Sequence, residues 1–168
     1  MSLVQDRIKT PIGDVVLVAE DGALRLMDFD DGPRFAAFMK RHFGDQPIAR
    51  ETNPNGLSDA VRAYMAGDLD AIETLPARPR GTAFQERVWA ELRKIPAGET
   101  ISYRELAKRA GRPKAVRAAG AANGQNPVSV VVPCHRVIGT DGTLTGYGGG
   151  LDRKKWLLEH EGALPRAD

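Results

Sequence analysis

Cys134 is the only cysteine of the chain, and His135 follows it directly in the run Pro133-Cys-His-Arg136. A thiol is a strong nucleophile only as the thiolate, and a nearby imidazole can take its proton. Adjacent side chains of an extended strand point to opposite sides, so the pair needs a turn at Pro133 or a bridging water. A lone cysteine is also often a small buried hydrophobe, so the pair by itself leaves both interpretations open.

The cysteine count excludes several kinds of site. One cysteine can form neither an internal disulfide nor a multi-cysteine zinc site or an iron–sulfur cluster, and we expect no metal and no cofactor. No apolar run reaches membrane-spanning length, and the first ten residues carry charges where a signal peptide needs apolar residues. We therefore expect a cytoplasmic protein without a membrane partner. Its 168 residues, 42% of them hydrophobic, suffice to bury a core.

The overall charge of +2 hides an asymmetry between the two parts of the chain. Residues 1–81 carry a net charge of −3, and residues 82–168 carry +5. Six cations of the second part fall in one short stretch that contains a single acidic residue, Glu105; they are Arg104, Lys108, Arg109, Arg112, Lys114 and Arg117. Such a cluster suits phosphate groups, although a solvated helical face would look the same.

The first part of the chain predicts a small α/β domain. Hydrophobic alternation and turn residues predict an antiparallel meander with strands at 3–9, 15–19 and 23–29. A helix is expected from Pro33 to Gly44, and Ser58 is a candidate N-cap of a short helix that ends at Gly67. Residues 74–81 contain two prolines and a glycine without apolar periodicity, which indicates a linker. We therefore expect two domains, 1–80 and 81–168.

The second part predicts mainly helices. Capping boxes at Thr82-Ala-Phe-Gln85 and Ser102-Tyr-Arg-Glu105 open two of them, which end at Pro96 and Gly111. Pro113 is predicted to open a third helix, rich in alanine, that ends at Asn123-Gly124. Helix, short glycine turn, helix is the helix-turn-helix pattern. The basic cluster lies on this pair of helices, which favours DNA binding.

The reactive residues lie between two further predicted elements. The β-branched run 128–132 predicts a buried strand that Pro133 ends, just before Cys134. Beyond it, Asp141-Gly142 indicates a hairpin between the segments CHRVIG and TLTGY. Asp152 is the expected cap of a final helix that Gly162 ends.

The string NPVSVVVPCHRVIG, residues 126–139, resembles the active-site signature of the O6-alkylguanine-DNA alkyltransferases, or methylated-DNA-protein-cysteine methyltransferases, especially their single-domain bacterial Ogt type. Three further runs match the family in order and spacing: GTAFQERVWAELRKIPAGETISY, residues 111–126 and LTGYGGGLDRKKWLLEHEG. The resemblance covers about Thr10 to Gly162. It implies an α/β ribonuclease-H-like N-terminal scaffold domain and a mainly α C-terminal winged helix-turn-helix domain that binds DNA and accepts the alkyl group.

The resemblance also implies a reaction. A protein of this family binds duplex DNA containing O6-alkylguanine, rotates the damaged base out of the stack and moves its alkyl group to the cysteine, here Cys134. The thioether product has no hydrolysable bond, so each molecule acts once. O4-alkylthymine is a further candidate substrate. We expect a monomer, and the sequence leaves cooperativity on DNA open.

Catalytic roles follow from the resemblance residue by residue. Cys134 matches the nucleophile, and His135 matches the base that acts on it through a water molecule. Glu161 matches the carboxylate that orients the histidine. Asn126 matches the asparagine that holds the turn around the cysteine.

The resemblance assigns the base-binding residues in the same way. Tyr103 matches a phenol that assists flipping, Arg117 the side chain that fills the vacated place in the stack, and Tyr147 a wall of the pocket. Gly148 stands where some relatives have serine, so it offers only its backbone N–H to the departing O6 and leaves room for bulkier alkyl groups. Two small residues of the candidate recognition helix are expected to let DNA approach closely; they are Ala118 and Ala119.

Two other functions compete with alkyl transfer. A winged helix-turn-helix protein could sense alkylguanine without chemistry, but the non-enzymatic relatives replace the cysteine that is present here. A thiol hydrolase could use Cys134, His135 and Glu161, but it has no use for the basic pair of helices.

Overall fold

A computed structural model describes residues 2–164 of the chain. The chain folds into two compact units, Met1–Arg80 and Gly81–Asp168. Among the described residues, no helix combines the length and the apolar character that a membrane crossing requires.

The N-terminal unit is built on a four-stranded sheet. The predicted antiparallel meander is confirmed, with strands β1 (Leu3–Thr10), β2 (Gly13–Glu20) and β3 (Ala23–Phe29). A short strand that the sequence did not predict, β4 (Ile48–Arg50), pairs parallel with β1 and completes the order β3-β2-β1-β4. Three residues carry too little alternation to be recognised as a strand.

Two helices accompany this sheet. Helix α1 (Pro33–Phe43) begins and ends as predicted, and it packs Phe38 and Phe43 against the sheet residues Leu3, Val18 and Leu26. Helix α2 (Leu57–Met65) has Gly56, not Ser58, at its N-cap. The predicted cap is wrong because the Ser58 hydroxyl lies within the first turn and donates to the Asp6 carboxylate of β1 at 2.5 Å.

The predicted linker 74–81 has little regular structure, but it is not free. The N–H of Leu24 donates to the oxygen of Pro76 at 2.8 Å, and the N–H of Arg78 donates to the oxygen of Leu24 at 2.8 Å. Ala77 thereby forms a parallel bridge at the edge of β3. A prediction from composition alone could not include these contacts, because they depend on a strand some fifty residues away.

Three helices form the body of the C-terminal unit. They are α3 (Ala83–Leu92), α4 (Tyr103–Arg109) and α5 (Val116–Gly124), and each packs on the other two. The capping box of α3 is confirmed in both directions between Thr82 and Gln85. At α4 only half of it forms: the Ser102 hydroxyl accepts from the N–H of Glu105, whose carboxylate instead accepts from Arg109 at 3.3 Å.

The turn between α4 and α5 is longer than predicted. Gly111 ends the first helix with a φ of +84°, as expected, but Pro113 does not open the second. It lies in a turn in which the N–H of Ala115 donates to the oxygen of Arg112 at 2.9 Å. Proline fits the first position of a turn as well as that of a helix, so its presence could not decide between them.

The segment after α5 contains no strand at 128–132. Its backbone turns instead, and Val130 has a left-handed φ of 72°. The short strands of this unit are β5 (Ile101–Ser102) and β6 (Val137–Ile138), which pair in parallel. A run of apolar residues that is buried on all sides has no alternation to distinguish a strand from a buried turn.

The C-terminal end of the unit follows the prediction in part. The N–H of Gly139 donates to the oxygen of Thr143 at 2.8 Å around the predicted Asp141-Gly142 turn, but TLTGY forms no strand. Helix α6 (Leu151–His160) has Gly150 at its N-cap, and Asp152 lies in the first turn, where it makes no capping bond. Gly162, with a φ of +77°, ends this helix as predicted.

Candidate functional site

Cys134 lies in a short 3-10 turn, Cys134–Arg136, that begins directly after Pro133. The thiol residue is 4% exposed, and its N–H donates to the oxygen of Val132 at 2.8 Å. The turn continues with a bond from the N–H of Arg136 to the oxygen of Pro133 at 3.0 Å. Because the chain turns here, Cys134 and His135 are not held on opposite sides of a strand.

Asn126 fixes the loop that leads to this turn. Its side-chain nitrogen donates to the oxygens of Val132 at 2.8 Å and Val128 at 3.3 Å, and its side-chain oxygen accepts from the N–H of Val128 at 3.0 Å. The residue is wholly buried. These bonds hold the loop in a conformation that includes the left-handed backbone at Val130, which β-branched residues rarely adopt.

Glu161 binds two side chains of the Cys134–Arg136 turn. One of its oxygens lies 2.9 Å from Nε2 of His135, and Arg136 binds both oxygens, at 2.9 and 2.8 Å. Arg136 also donates to the oxygen of Ile95 at 2.6 Å. Glu161 follows the C-terminal end of α6, where a carboxylate is unfavourable with the helix dipole, and this network supplies the compensation.

The charges of this network define the tautomer of His135. Burial would raise the pKa of Glu161, but the hydrogen bonds from Arg136 and His135 and the charge of Arg136 hold it well below its ordinary value. Burial lowers the pKa of His135 more than Glu161 raises it, and Arg136 and Lys154 lower it further. The histidine is therefore neutral beside an ionised carboxylate, which can only accept. The proton must lie on Nε2, which leaves Nδ1 as the basic nitrogen.

Nδ1 of His135 is buried and has no hydrogen-bond partner among the residues that the structure describes. A buried polar atom of this kind is normally satisfied by protein or water. The nitrogen is thus available to a water molecule or to the thiol of the preceding residue.

Lys154 is a member of the site that sequence reasoning missed. It is 0% exposed, and its ammonium donates to the oxygens of Val137 at 2.6 Å and Thr145 at 2.7 Å. Burial lowers its pKa to about 8, although the charge of Cys134 acts in the opposite direction. A signal existed: Lys154 shares the buried face of α6 with Leu157 and Leu158, and a lysine rarely occupies such a position.

A groove of about 620 Å³ lies between α5 and the loop that follows β6, and neither Cys134 nor His135 is among the residues that line it. Four of the predicted base-binding residues line it together: Tyr103, Arg117, Tyr147 and Gly148. Burial raises the pKa of the Tyr103 phenol, so its hydroxyl keeps its proton and can donate it. The other lining residues are Val116, Gly120, Gly124, Thr140, Thr145 and Gly146.

The two alanines predicted to face DNA differ in position. Ala118 is exposed on α5, whereas the side chain of Ala119 is 0% exposed. The predicted DNA contact of the Ala119 side chain is therefore wrong, because the helical period turns it inward with Ala122 and Asn123.

All six residues of the basic cluster are exposed. Two of them also make contacts within the unit: Arg109 pairs with Glu105 at 3.3 Å, and the guanidinium of Arg112 lies 4.7 Å from the centre of the Phe84 ring. The cluster therefore presents its charge to solvent along α4, the turn and the start of α5.

Comparisons with known proteins show which family the chain resembles. Residues 83–163 match the family model of the 6-O-methylguanine DNA methyltransferase DNA binding domain. The chain is 48% identical to a methylated-DNA–protein-cysteine methyltransferase of Shigella flexneri, over 98% of each chain. It is 40% identical to the Mycobacterium tuberculosis OGT solved in complex with DNA, with a TM-score of 0.81 over 95% of this chain and 92% of that one.

The fold of a mixed sheet with helices is likewise that of the known alkyltransferase structures. The Mycobacterium tuberculosis O6-methylguanine methyltransferase is 39% identical, with a TM-score of 0.78 over 99% of this chain and 96% of that one. Relatedness over nearly the whole chain, in sequence and in fold, establishes common descent. The chain belongs to the family of methylated-DNA–protein-cysteine methyltransferases.

Proposed function

We propose that this chain repairs DNA directly, by moving an alkyl group from O6 of guanine in duplex DNA to Sγ of Cys134. The observation that carries the proposal is the buried turn in which Cys134 precedes His135, whose Nε2 lies 2.9 Å from the Glu161 carboxylate. The relatives named methylated-DNA–protein-cysteine methyltransferases support the reaction, and the mycobacterial relative in complex with DNA supports the substrate.

The proton of the thiol moves first. Nδ1 of His135 takes it through a water molecule, and Glu161 stabilises the resulting imidazolium through Nε2. The positive charge of Lys154 favours the thiolate, since the two charges are close enough to interact. Cys134 thus becomes nucleophilic in a site that excludes bulk water.

The thiolate then attacks the alkyl carbon. A C–S bond forms while the bond from that carbon to O6 breaks, and the electron pair remains on the guanine. The proton taken from Cys134 finally returns to the guanine, so the products are a thioether and an ordinary base. Because nothing in the site can cleave a thioether, each molecule reacts once, and the reaction needs no cofactor.

The damaged base reaches the thiolate only outside the stack. We assign the groove walls to Tyr103 and Tyr147, and the donor for the departing O6 to the N–H of Gly148. Arg117 enters the vacated place in the stack, while Ala118 lets the duplex approach α5. Two observations support these roles. The groove is lined by all four of the residues other than Ala118, and Ala118 is exposed.

We also assign a fold family to each of the two units, as the family resemblance implies. Residues 1–80 form a ribonuclease-H-like scaffold without nuclease chemistry. Residues 81–168 form a winged helix-turn-helix domain in which α4 and α5 are the helix pair and the turn 139–143 is the wing. The basic cluster on this helix pair supports its role as the DNA contact.

Mass spectrometry tests the reaction. We expect a duplex that contains O6-methylguanine to transfer one methyl group per chain, and peptide mapping to locate it on Cys134. A duplex with unmodified guanine is the control, and Cys134→Ala should bind the damaged duplex without any adduct. Repeated turnover, or no adduct on folded protein, would overturn the proposal.

Arg117 provides a separate test of base flipping. Arg117→Ala should slow repair of duplex by ~10-fold or more, because unstacking costs a few kcal/mol, while the reaction with free O6-benzylguanine changes little. Arg104→Ala is the matched control, since it removes the same charge from an exposed position outside the groove. Equal losses of Arg117→Ala on duplex and free base would reject the flipping role.

A further inference from the structure

One backbone oxygen, that of Thr145, binds two side chains of the site at once. The Tyr103 hydroxyl lies 3.0 Å from it, and the Lys154 ammonium lies 2.7 Å from it. Tyr103 is also 3.3 Å from the oxygen of Gly146. The two donors thereby hold the loop 139–150, which carries Tyr147 and Gly148 into the groove wall.

The Tyr103 hydroxyl has one proton, and both nearby loop oxygens are acceptors that compete for it. In a nucleotide, the unsubstituted ring nitrogens of an O6-alkylguanine are acceptors too, and its only donor is the exocyclic amine. Tyr103 therefore cannot donate to the base and to the loop at the same time. A base that receives this hydrogen bond must take it from the loop.

Lys154 makes that exchange inexpensive. Its ammonium has three protons, lies in a fully buried position and donates to Val137 as well as to Thr145. When Tyr103 turns away, the oxygen of Thr145 still has a donor, so this carbonyl group is not left unpaired. The ammonium also lies 5.8 Å from the centre of the Tyr103 ring, which keeps the two side chains in contact.

We propose that Tyr103 alternates between two acceptors, holding the loop at Thr145 and Gly146 in the free protein and donating to the extruded base in the complex, while Lys154 retains Thr145. Lys154 is thus a positioning residue for base entry. This inference rests on the proposed function, because it assumes that the base occupies the groove beside Tyr103.

Carbonyl carbon NMR shifts follow each hydrogen bond. We use Cys134→Ala protein and add O6-benzylguanine, which binds without reacting. The Gly146 carbonyl should shift in the direction of a lost hydrogen bond, whereas Thr145, which keeps Lys154, should shift less. In Tyr103→Phe the Gly146 carbonyl should already have the shifted value, and the base should not move it further. Tyr64→Phe, which removes a hydroxyl from the N-terminal unit, should respond like the parent protein.

A double-mutant cycle tests the part of Lys154. Lys154→Met should weaken the binding of O6-benzylguanine by ~5- to 10-fold. The oxygen of Thr145 then has no donor left when the Tyr103 hydroxyl turns to the base. In the Tyr103→Phe background, where no exchange occurs, the same change should have a much smaller effect. Additive losses would overturn the role of Lys154. An unmoved Gly146 carbonyl would overturn the exchange itself, and both results leave the proposed function standing if wild-type protein still acquires the methyl group.

Discussion

At the scale of single residues, Glu161 holds the histidine next to a buried thiol in one orientation and one tautomer. The carboxylate binds two side chains, and Arg136 donates two hydrogen bonds to it. Burial lowers the pKa of His135 more than Glu161 raises it, so the histidine is neutral and keeps Nδ1 as a base. Removing Arg136 would leave a buried charge on Glu161, which is why these two residues depend on each other.

The neutral state of His135 predicts a pH dependence of stability. Its pKa is lowered in the folded chain and ordinary in the unfolded chain, so the unfolded chain takes up this proton more readily than the folded chain as the pH falls below about 6.5. Stability should fall with pH in that range by up to ~1.4 kcal/mol per pH unit.

Urea unfolding between pH 7.5 and 5 measures this slope, since both tryptophans of the chain, Trp89 and Trp156, lie in the C-terminal unit. His135→Asn should show a smaller slope than wild type. His42, whose pKa burial also lowers, contributes equally to both proteins. Identical slopes would contradict a neutral His135.

The lowered pKa of Lys154 predicts how the rate of alkyl transfer depends on pH in the alkaline range. Its pKa is about 8, so the ammonium that favours the thiolate loses its proton as the pH rises through that value. The rate of transfer from O6-benzylguanine should therefore decline above pH 8. Lys154→Arg keeps its charge throughout this range, and its rate should not decline there. A decline near pH 8 that persists in Lys154→Arg would assign it to another group.

At the scale of elements, structure that depends on neighbouring residues was predictable, and structure that depends on more distant contacts was not. The capping box at Thr82 and the helix ends at Gly111 and Gly162 follow from a few neighbouring residues, and the structure confirms them. The turn at 128–132 was predicted as a strand, because its conformation depends on bonds from the Asn126 side chain to the backbone. The pair His135 and Glu161 was accessible only through the family resemblance, since 25 residues separate its members.

The loop 126–132 is itself a testable element. Asn126→Ala removes three buried hydrogen bonds and leaves the oxygen of Val132 and the N–H of Val128 without that partner. We expect a loss of about 2–4 kcal/mol in the free energy of unfolding, together with slower alkyl transfer. Gln125→Ala, at the adjacent half-buried position, should cost much less. Urea denaturation compares the two variants, and equal losses would show that the loop does not depend on Asn126.

At the scale of the whole molecule, the two units divide the charge between them. The N-terminal part is acidic, with −3, while the C-terminal part carries +5 and presents six exposed cations between 104 and 117. A small net charge therefore coexists with a concentrated positive face on the unit that holds Cys134. Attraction to phosphate should come from that face and not from the chain as a whole.

This division predicts the salt dependence of DNA binding. Each phosphate contact releases condensed counterions, so the logarithm of the binding constant falls with the logarithm of the salt concentration by about 0.9 per contact. Lys108→Gln and Lys114→Gln should each make that slope shallower by about 1 if the residue contacts a phosphate. Lys40→Gln, which removes an exposed lysine from the N-terminal unit, is the matched control and should leave the slope unchanged. Fluorescence anisotropy with a labelled duplex and Cys134→Ala protein gives the slopes without alkyl transfer. An equal change in all three variants would mean that net charge, and not the face formed by α4 and α5, attracts the DNA.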